Sequence, residues 1–143
     1  MKIKVFYDKD SKQLRVPVIV KIPHKRISSD FVIDTGSPHT ILNYSNSLRL
    51  GVPHTEKAEL IRLGGRAYQS YLFNRTEIVF KSEDNKEINE IISARILKPS
   101  SPKAEEIEML DRCPNLLGID FLEKGWKFFC NLEKDEVYFE KID

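Results

Sequence analysis

The sequence has little of what several classes of protein require. Its two cysteines, Cys113 and Cys130, are too few for a disulfide framework, so we expect reduced thiols. No apolar run approaches the ~18 residues of a membrane span, and the N-terminal MKIKVFYDKD lacks the apolar core of a signal peptide. Its 23 basic side chains nearly balance 22 acidic ones, which gives no support for nucleic acid or membrane as the main partner. We therefore expect a cytoplasmic protein.

Motifs for metals and cofactors are missing as well. The three histidines, His24, His39 and His54, do not have metal-ligand spacing. The segment RLGGRA lacks the Lys-Ser/Thr of a phosphate loop, and neither cysteine has the neighbours of a nucleophile. We predict no metal and no cofactor, and we expect His39 to be a rim or packing residue.

What is present indicates an all-β protein. The length of 143 residues, with 41% hydrophobic and 31% charged residues, suits one globular domain over residues 1–143. Alternating apolar residues in MKIKVFY and over 14–22 predict an N-terminal hairpin, with Pro17 at an edge or a bulge. The runs FVI and TIL predict short strands, and KFFCNLEKDEVYFE predicts a C-terminal hairpin.

Helical patterns are few and short. YSNSLRLG predicts one helical turn closed by Gly51, and SSPKAEEIEMLD predicts a helix with Ser101 as N-cap and Pro102 first. KEINEIISARIL fits either element; its spacing slightly favours a helix, although its isoleucines favour a strand. NLLGIDFLEKGW predicts a short strand, a glycine and a helix ending near Gly125. One to three short helices are therefore expected.

Asp34 is the candidate for chemistry. It follows Phe31, Val32 and Ile33, so it ends a buried strand, where a carboxylate needs hydrogen-bond partners. Thr35 and Ser37 offer hydroxyl groups and Gly36 allows close approach. The same four residues are also common in an ordinary strand-to-turn transition.

The segment FVIDTGSPHTIL resembles the catalytic segment of aspartic proteases, and two further segments extend the resemblance to their retroviral-type (retropepsin) branch. Leu116-Leu117-Gly118 resembles the apolar-apolar-Gly signature of that branch, after which a short helix follows. LIRLGGRAYQ resembles the flap hairpin that closes over substrate, with its tip at Leu63, Gly64, Gly65, Arg66 and Ala67. The resemblance implies a retropepsin-like acid protease barrel over roughly residues 14–140.

The resemblance also implies roles for the residues of the first motif. Asp34 would be the catalytic carboxylate, and Thr35 would brace the two active-site loops of a dimer. Gly36 would allow close approach to the carboxylate, and Ser37 would hydrogen-bond an outer carboxylate oxygen. We expect Asp120 to cap a helix instead of acting in catalysis.

A second carboxylate has to come from a second copy of the chain, because the sequence has a single Asp-Thr-Gly. Aspartic proteases use two carboxylates that share one proton. A two-fold homodimer places identical residues face to face across its axis. The terminal strands, around 2–7 and 136–140, are candidates for dimer contacts.

The predicted function is that of a homodimeric aspartic endopeptidase acting on a polypeptide substrate. The alternative is a weakly active or inactive module of the same fold that binds peptides or dimerises. A third possibility is an ordinary β-barrel with a chance motif, which predicts a monomer with no cleft at Asp34. Residues 98–112 have no counterpart in a minimal retroviral enzyme and are assigned no role.

Overall fold

Strands dominate the computed structural model, which describes residues 1–142. This confirms the all-β class. The strands are β1 (Lys2–Lys4), β2 (Phe6–Asp8), β3 (Gln13–Ile22), β4 (Lys25–Ile33), β5 (Ile41–Leu42), β6 (Lys57–Leu63), β7 (Arg66–Lys81), β8 (Glu87–Leu97), β9 (Asn115–Leu117), β10 (Lys127–Asn131) and β11 (Glu136–Glu140). The helices are α1 (Tyr44–Leu50), α2 (Ala104–Asp111) and α3 (Ile119–Leu122). None of these helices has the length and apolar character needed to cross a membrane.

A closed ring of strands forms the body of the fold. β3, β4, β9, β5, β8 and β7 are hydrogen-bonded in that order, and β7 also pairs with β3. Alternate residues of β3, namely Val16, Val18 and Val20, are buried inside the ring. A separate three-stranded sheet has the order β1, β11, β10 and contains the predicted C-terminal hairpin.

The N-terminal hairpin is only partly as predicted. β2 pairs with the start of β3, but β1 pairs with β11 at the other end of the chain. Pro17 follows the part of β3 that pairs with β2, which ends at Arg15, and precedes the part that pairs with β7, which begins at Ile19. On this side of β3, Pro17 therefore has no strand partner to which it would have to donate a hydrogen bond, so a residue without an N–H is tolerated there.

The helical interpretation of KEINEIISARIL was wrong, because the segment forms strand β8. β8 pairs antiparallel with β7 and parallel with β5, so it is one of the strands that form the ring. Ile88, Ile92 and Ile96 face the core, whereas Ile91, which completed the helical pattern, is 44% exposed. Pairing on the sheet decided between two patterns that the isolated sequence left nearly equal.

Of the helix boundaries predicted from the sequence, one is confirmed and two are corrected. α1 ends at Leu50 and is closed by Gly51, whose φ of 72° is the left-handed conformation expected of a closing glycine. α2 begins at Ala104 with Lys103 at the N-cap position, so Ser101 and Pro102 precede the helix. α3 is a single turn ending at Leu122 instead of near Gly125.

Candidate active site

The strand that leads to Asp34 is held from behind by the apolar-apolar-Gly segment. β4 and β9 run parallel, with Val32 opposite Leu116 and Ile33 opposite Leu117. The backbone N–H of Asp34 then donates to the carbonyl of Leu117 at 3.0 Å. Two segments more than 80 residues apart in sequence therefore meet at the carboxylate.

The Asp34 loop is a tight turn closed by backbone donors. The N–H of Gly36 donates to Oδ1 of Asp34 at 3.0 Å, and the N–H of Ser37 donates to the Asp34 carbonyl at 3.1 Å. A Cβ on Gly36 would lie 3.2 Å from that same Oδ1, so a side chain there would crowd the carboxylate. The turn fixes the direction of the Asp34 side chain while leaving it partly exposed.

The two hydroxyl groups of the motif are placed differently. Thr35 is exposed, and its hydroxyl makes no hydrogen bond to another residue of the part of the chain that the structure describes. The hydroxyl of Ser37 donates to the carbonyl of His39 at 2.7 Å. Ser37 thus stabilises the turn after Asp34. The resemblance implied a hydrogen bond from Ser37 to the carboxylate of Asp34, and the hydroxyl group does not make that bond here.

A second residue pair fixes the far side of the loop. Thr40, which is 1% exposed, donates through its hydroxyl to Oδ1 of Asp120 at 2.7 Å and through its N–H to Oδ2 at 2.9 Å. The Thr40 hydroxyl in turn accepts from the N–H of Gly118 at 3.1 Å. Gly118, not Asp120, occupies the N-cap of α3, but Oδ1 of Asp120 accepts from the N–H of Phe121 at 2.9 Å, so Asp120 does bind a donor of the first helical turn.

Two side chains that hold this region were not found from the sequence. Thr40 follows the motif without a distinctive spacing. Asn115, which is 2% exposed, accepts from the N–H of Asn43 at 2.8 Å and donates to the Ser29 hydroxyl at 2.8 Å. Asn115 directly precedes the apolar pair, where an asparagine resembles an ordinary turn residue.

A cleft of about 260 Å³ separates the Asp34 loop from the hairpin formed by β6 and β7. Gly64 and Gly65 form the two-residue turn of that hairpin, with φ of 57° and 79°, as expected for a tight hairpin. Leu63 lines the cleft, whereas Gly64, Gly65, Arg66 and Ala67 are exposed at the tip. The cleft lining is Asp34, Gly36, Ser37, Pro38, His39, Glu59, Leu60, Ile61, Arg62 and Leu63.

Charged side chains lie at the edge of the cleft. Oε1 of Glu59 accepts from Nε of Arg95 at 2.7 Å and lies 3.4 Å from Nε2 of His39. Partial burial raises the pKa of Glu59, but the Arg95 hydrogen bond and charge outweigh it and lower the pKa. His39 is therefore a rim residue beside an ionised carboxylate.

The hairpin also contacts α2, in the segment that had no assigned role. Arg66, at the hairpin tip, donates to both oxygens of Glu106 at 2.7 Å, and the Ser100 hydroxyl donates to Glu106 at 3.0 Å. A small core lies beneath: Leu110 of α2 and Tyr68 of the hairpin belong to the same buried cluster. Residues 98–112 thus support the hairpin over the cleft.

Replacing Glu106 by glutamine is expected to lower the thermal stability in a pH-dependent way. The hydrogen bond from Arg66 lowers the pKa of Glu106 below its ordinary value of 4.5. The stabilisation is thus fully present above that value and is lost as the pH falls through the lowered pKa of the folded state. Melting temperatures of wild type and Glu106→Gln should differ at about pH 7 and converge toward about pH 3.

The neighbouring Glu105→Gln variant is the matched control. Glu105 is exposed on the same helix and forms no ion pair among residues 1–142. A difference between wild type and Glu106→Gln that persists unchanged at the lowest pH would contradict the ion-pair explanation.

A metal centre has no candidate ligands in the described part of the chain. Within residues 1–142, no group of three or more His, Cys, Asp or Glu side chains is placed to hold an ion. Cys113 and Cys130 are both free thiols.

Known structures share this fold at low sequence identity. A retropepsin-like aspartic protease from Rickettsia conorii is 17% identical, with a TM-score of 0.60 over 99% of this chain and 91% of that one. EIAV protease, solved with an inhibitor, is 15% identical, with a TM-score of 0.51 over 83% of this chain and 93% of that one. No protein-family model and no curated protein matches the sequence. The retropepsin-like fold expected from the sequence is confirmed.

Proposed function

We propose that this chain is an aspartic endopeptidase that acts as a two-fold homodimer. One observation carries the proposal: Asp34 lies in a tight turn at the base of a cleft, beneath a hairpin of the kind that closes over an extended peptide. The two bland alternatives, an ordinary strand-to-turn transition and a β-barrel with a chance motif, do not account for a cleft at Asp34. A polypeptide substrate would lie extended between the Asp34 loop and β6. Location in the cytoplasm stays a prediction from the sequence.

The chemistry requires two Asp34 carboxylates that share one proton. The ionised carboxylate takes a proton from a water molecule, whose oxygen attacks the peptide carbonyl carbon. The protonated carboxyl group gives its proton to the carbonyl oxygen, which yields a tetrahedral diol. The C–N bond then breaks as the amine nitrogen takes the proton from the carboxyl group that deprotonated the water. A hydroxyl group of the diol returns its proton to the other carboxylate, which restores the shared proton, and no covalent bond to the enzyme forms.

The exposed Thr35 supports the dimer. Its side chain stands beside Asp34 without a hydrogen-bond partner among residues 1–142, and an identical loop across a two-fold axis would supply one. β1 and β11 bring both ends of the chain together in the small sheet, where β1 is an edge strand. On its outer side the Lys2 carbonyl accepts from the N–H of Glu83 at 2.9 Å, and no other strand of residues 1–142 pairs there. Such an edge can pair with the partner's terminal strand.

Cleavage of a peptide library by the purified protein between about pH 3 and pH 7 tests the proposal. We expect cleavage that a statine-type mimic of the tetrahedral intermediate blocks. Sedimentation equilibrium on the same sample should report a dimer. A folded, dimeric sample that cleaves nothing at any pH would instead favour a peptide-binding or dimerisation module.

A further inference from the structure

A basic groove lies at the end of the barrel remote from Asp34. It has a volume of about 760 Å³ and is formed by the β3–β4 turn and by β7. Its cationic side chains are Lys21, Lys25, Arg26 and Arg75, and His24 lies among them. Within residues 1–142, none of the four cations forms an ion pair with a carboxylate. One carboxylate, Glu77, lines the groove, so its positive charge is largely uncompensated.

A bulge in β7 places Arg75 at this groove. Between the pairs Phe73–Ala94 and Thr76–Ile92, β7 has two residues where β8 has one. Arg75 takes a φ of 53°, which is uncommon for a residue other than glycine. The Thr76 hydroxyl donates to the Phe73 carbonyl at 2.7 Å and holds the bulge. Bulges of this kind redirect a side chain, and here the redirected side chain is a fourth cation.

A connecting cavity of about 530 Å³ joins the basic groove to the Asp34 cleft. It shares Asn74, Arg75 and Ile91 with the basic groove, and it shares His39 with the cleft. Its lining balances the cations Arg75, Arg95 and Lys124 against the carboxylates of Asp120 and Glu123, and Arg95 is paired with Glu59. The uncompensated positive charge therefore lies in the basic groove and not along the connecting cavity.

The strand β4 gives the upper limit of the distance between the basic groove and Asp34. Its nine residues separate Lys25, at the basic groove, from Asp34, directly after the strand. At about 3.3 Å per residue the two ends are roughly 30 Å apart, a distance that about nine extended residues of a substrate would cover. The near end of the groove, Arg75, lies opposite Ser93, only two residues along β8 from Arg95, whose N–H donates to the Thr40 carbonyl at 2.8 Å.

The lining of the basic groove favours a polypeptide over a nucleic acid. Its lining includes the apolar side chains of Ile22 and Ile91, and Phe73, its one Phe, Tyr or Trp, is buried and unavailable for base stacking. The formal charge of the chain is only +1, whereas domains that bind a phosphate backbone are usually strongly basic. An acidic peptide with interspersed apolar residues complements both the positive charge and the apolar lining residues of the groove.

We propose that the basic groove binds an acidic segment of the substrate, within about nine residues of the scissile bond. The substrate class is thus a polypeptide with an acidic stretch outside the residues that flank the cleaved bond. This inference rests on the proposed protease activity.

The test compares two substrates that share one cleavable sequence chosen from the library. One substrate carries a run of glutamates that ends about nine residues from the scissile bond, and the other carries glutamines at the same positions. Separate peptides place this run on the N-terminal and on the C-terminal side of the scissile bond. We expect kcat/KM about tenfold higher for the glutamate substrate at low ionic strength, because several weak exposed ion pairs act together. The advantage should disappear at about 0.5 M salt.

Variants locate the effect. The groove variant combines Lys21→Gln, Arg26→Gln and Arg75→Asn, since asparagine tolerates the left-handed conformation. The control variant combines Lys9→Gln, Lys127→Gln and Lys134→Gln, which remove the same charge from exposed positions outside the groove. The groove variant should lose the tenfold advantage and cleave the glutamine substrate normally, while the control variant should keep the advantage. The single Arg75→Asn variant should lose part of it if the triple variant does not fold.

The outcomes separate this inference from the function on which it rests. Cleavage of neither substrate would overturn the protease activity, whereas equal cleavage of both would overturn the acidic-segment site alone. Binding of a fluorescent glutamate peptide to the Asp34→Asn protein, measured by anisotropy, should occur without turnover and should depend on the groove cations. Tighter groove-dependent binding of a single-stranded oligonucleotide of equal length would overturn the assignment to polypeptide.

Discussion

An Asp34→Asn variant should fold and dimerise like the wild type, yet lose peptide cleavage by about four orders of magnitude or more. Asparagine has the same shape, and its Oδ1 can still accept the hydrogen bond that Gly36 donates to Asp34 at 3.0 Å. It cannot take a proton from water, so the chemical step loses its base. Circular dichroism and sedimentation should therefore match the wild type while the cleavage assay falls to background.

Mixing the two proteins asks whether both carboxylates come from different copies of the chain. After subunits exchange, an equal mixture should retain about one quarter of the wild-type activity, because only dimers with two Asp34 residues work. A chain that worked alone would retain about one half. The measurement is made at a protein concentration well above the dissociation constant of the dimer, so that dilution does not contribute.

Asp30→Asn is the matched control for both experiments. Asp30 is an exposed carboxylate on β4, four residues before Asp34, and its side chain makes no hydrogen bond to another residue in the described part of the chain. An equal mixture with Asp30→Asn should keep full activity. Activity that declines linearly with the fraction of Asp34→Asn would contradict the shared dyad, and activity that survives in pure Asp34→Asn would contradict a catalytic role for Asp34.

Local chemistry explains why the region around Asp34 could be predicted from the sequence. A buried apolar run, a carboxylate and a glycine follow one another there, and each constrains the backbone within a few residues. The Gly64-Gly65 turn is similar, because two positive φ angles in succession are a local requirement that glycine meets. Such features do not depend on which distant strand pairs with the segment.

Long-range pairing explains what the sequence did not reveal. The isoleucines of β8 satisfied a helical and a strand pattern, and only pairing with β7 and β5 decided between them. Thr40 and Asp120 are 80 residues apart, so neither position signals the hydrogen bonds at 2.7 and 2.9 Å that join them. β1 joined β11 for the same reason, since its partner lies at the opposite end of the chain.

Gly118→Ala is the substitution expected to cost the most stability. A Cβ at Gly118 would lie 2.5 Å from the carbonyl oxygen of His39 and 2.7 Å from that of Ser37. Both contacts are with backbone, which cannot rotate away as a side chain could, so the loop after Asp34 has to shift. We expect a loss of about 3 kcal/mol in the free energy of unfolding, measured by chemical denaturation at fixed protein concentration.

Gly51→Ala separates this steric effect from the general cost of replacing glycine. Gly51 has a φ of 72°, and a Cβ there would meet nothing within 4 Å, so only the left-handed conformation is penalised, by about 1 kcal/mol. Gly118 has a φ of −92°, which alanine adopts freely, so its larger loss must come from the contacts with Ser37 and His39. Because those residues follow Asp34, Gly118→Ala should also abolish cleavage at temperatures where the protein is still folded, whereas Gly51→Ala should cleave normally. A Gly118→Ala protein as stable and active as Gly51→Ala would show that the apolar-apolar-Gly segment does not fix the position of the Asp34 loop.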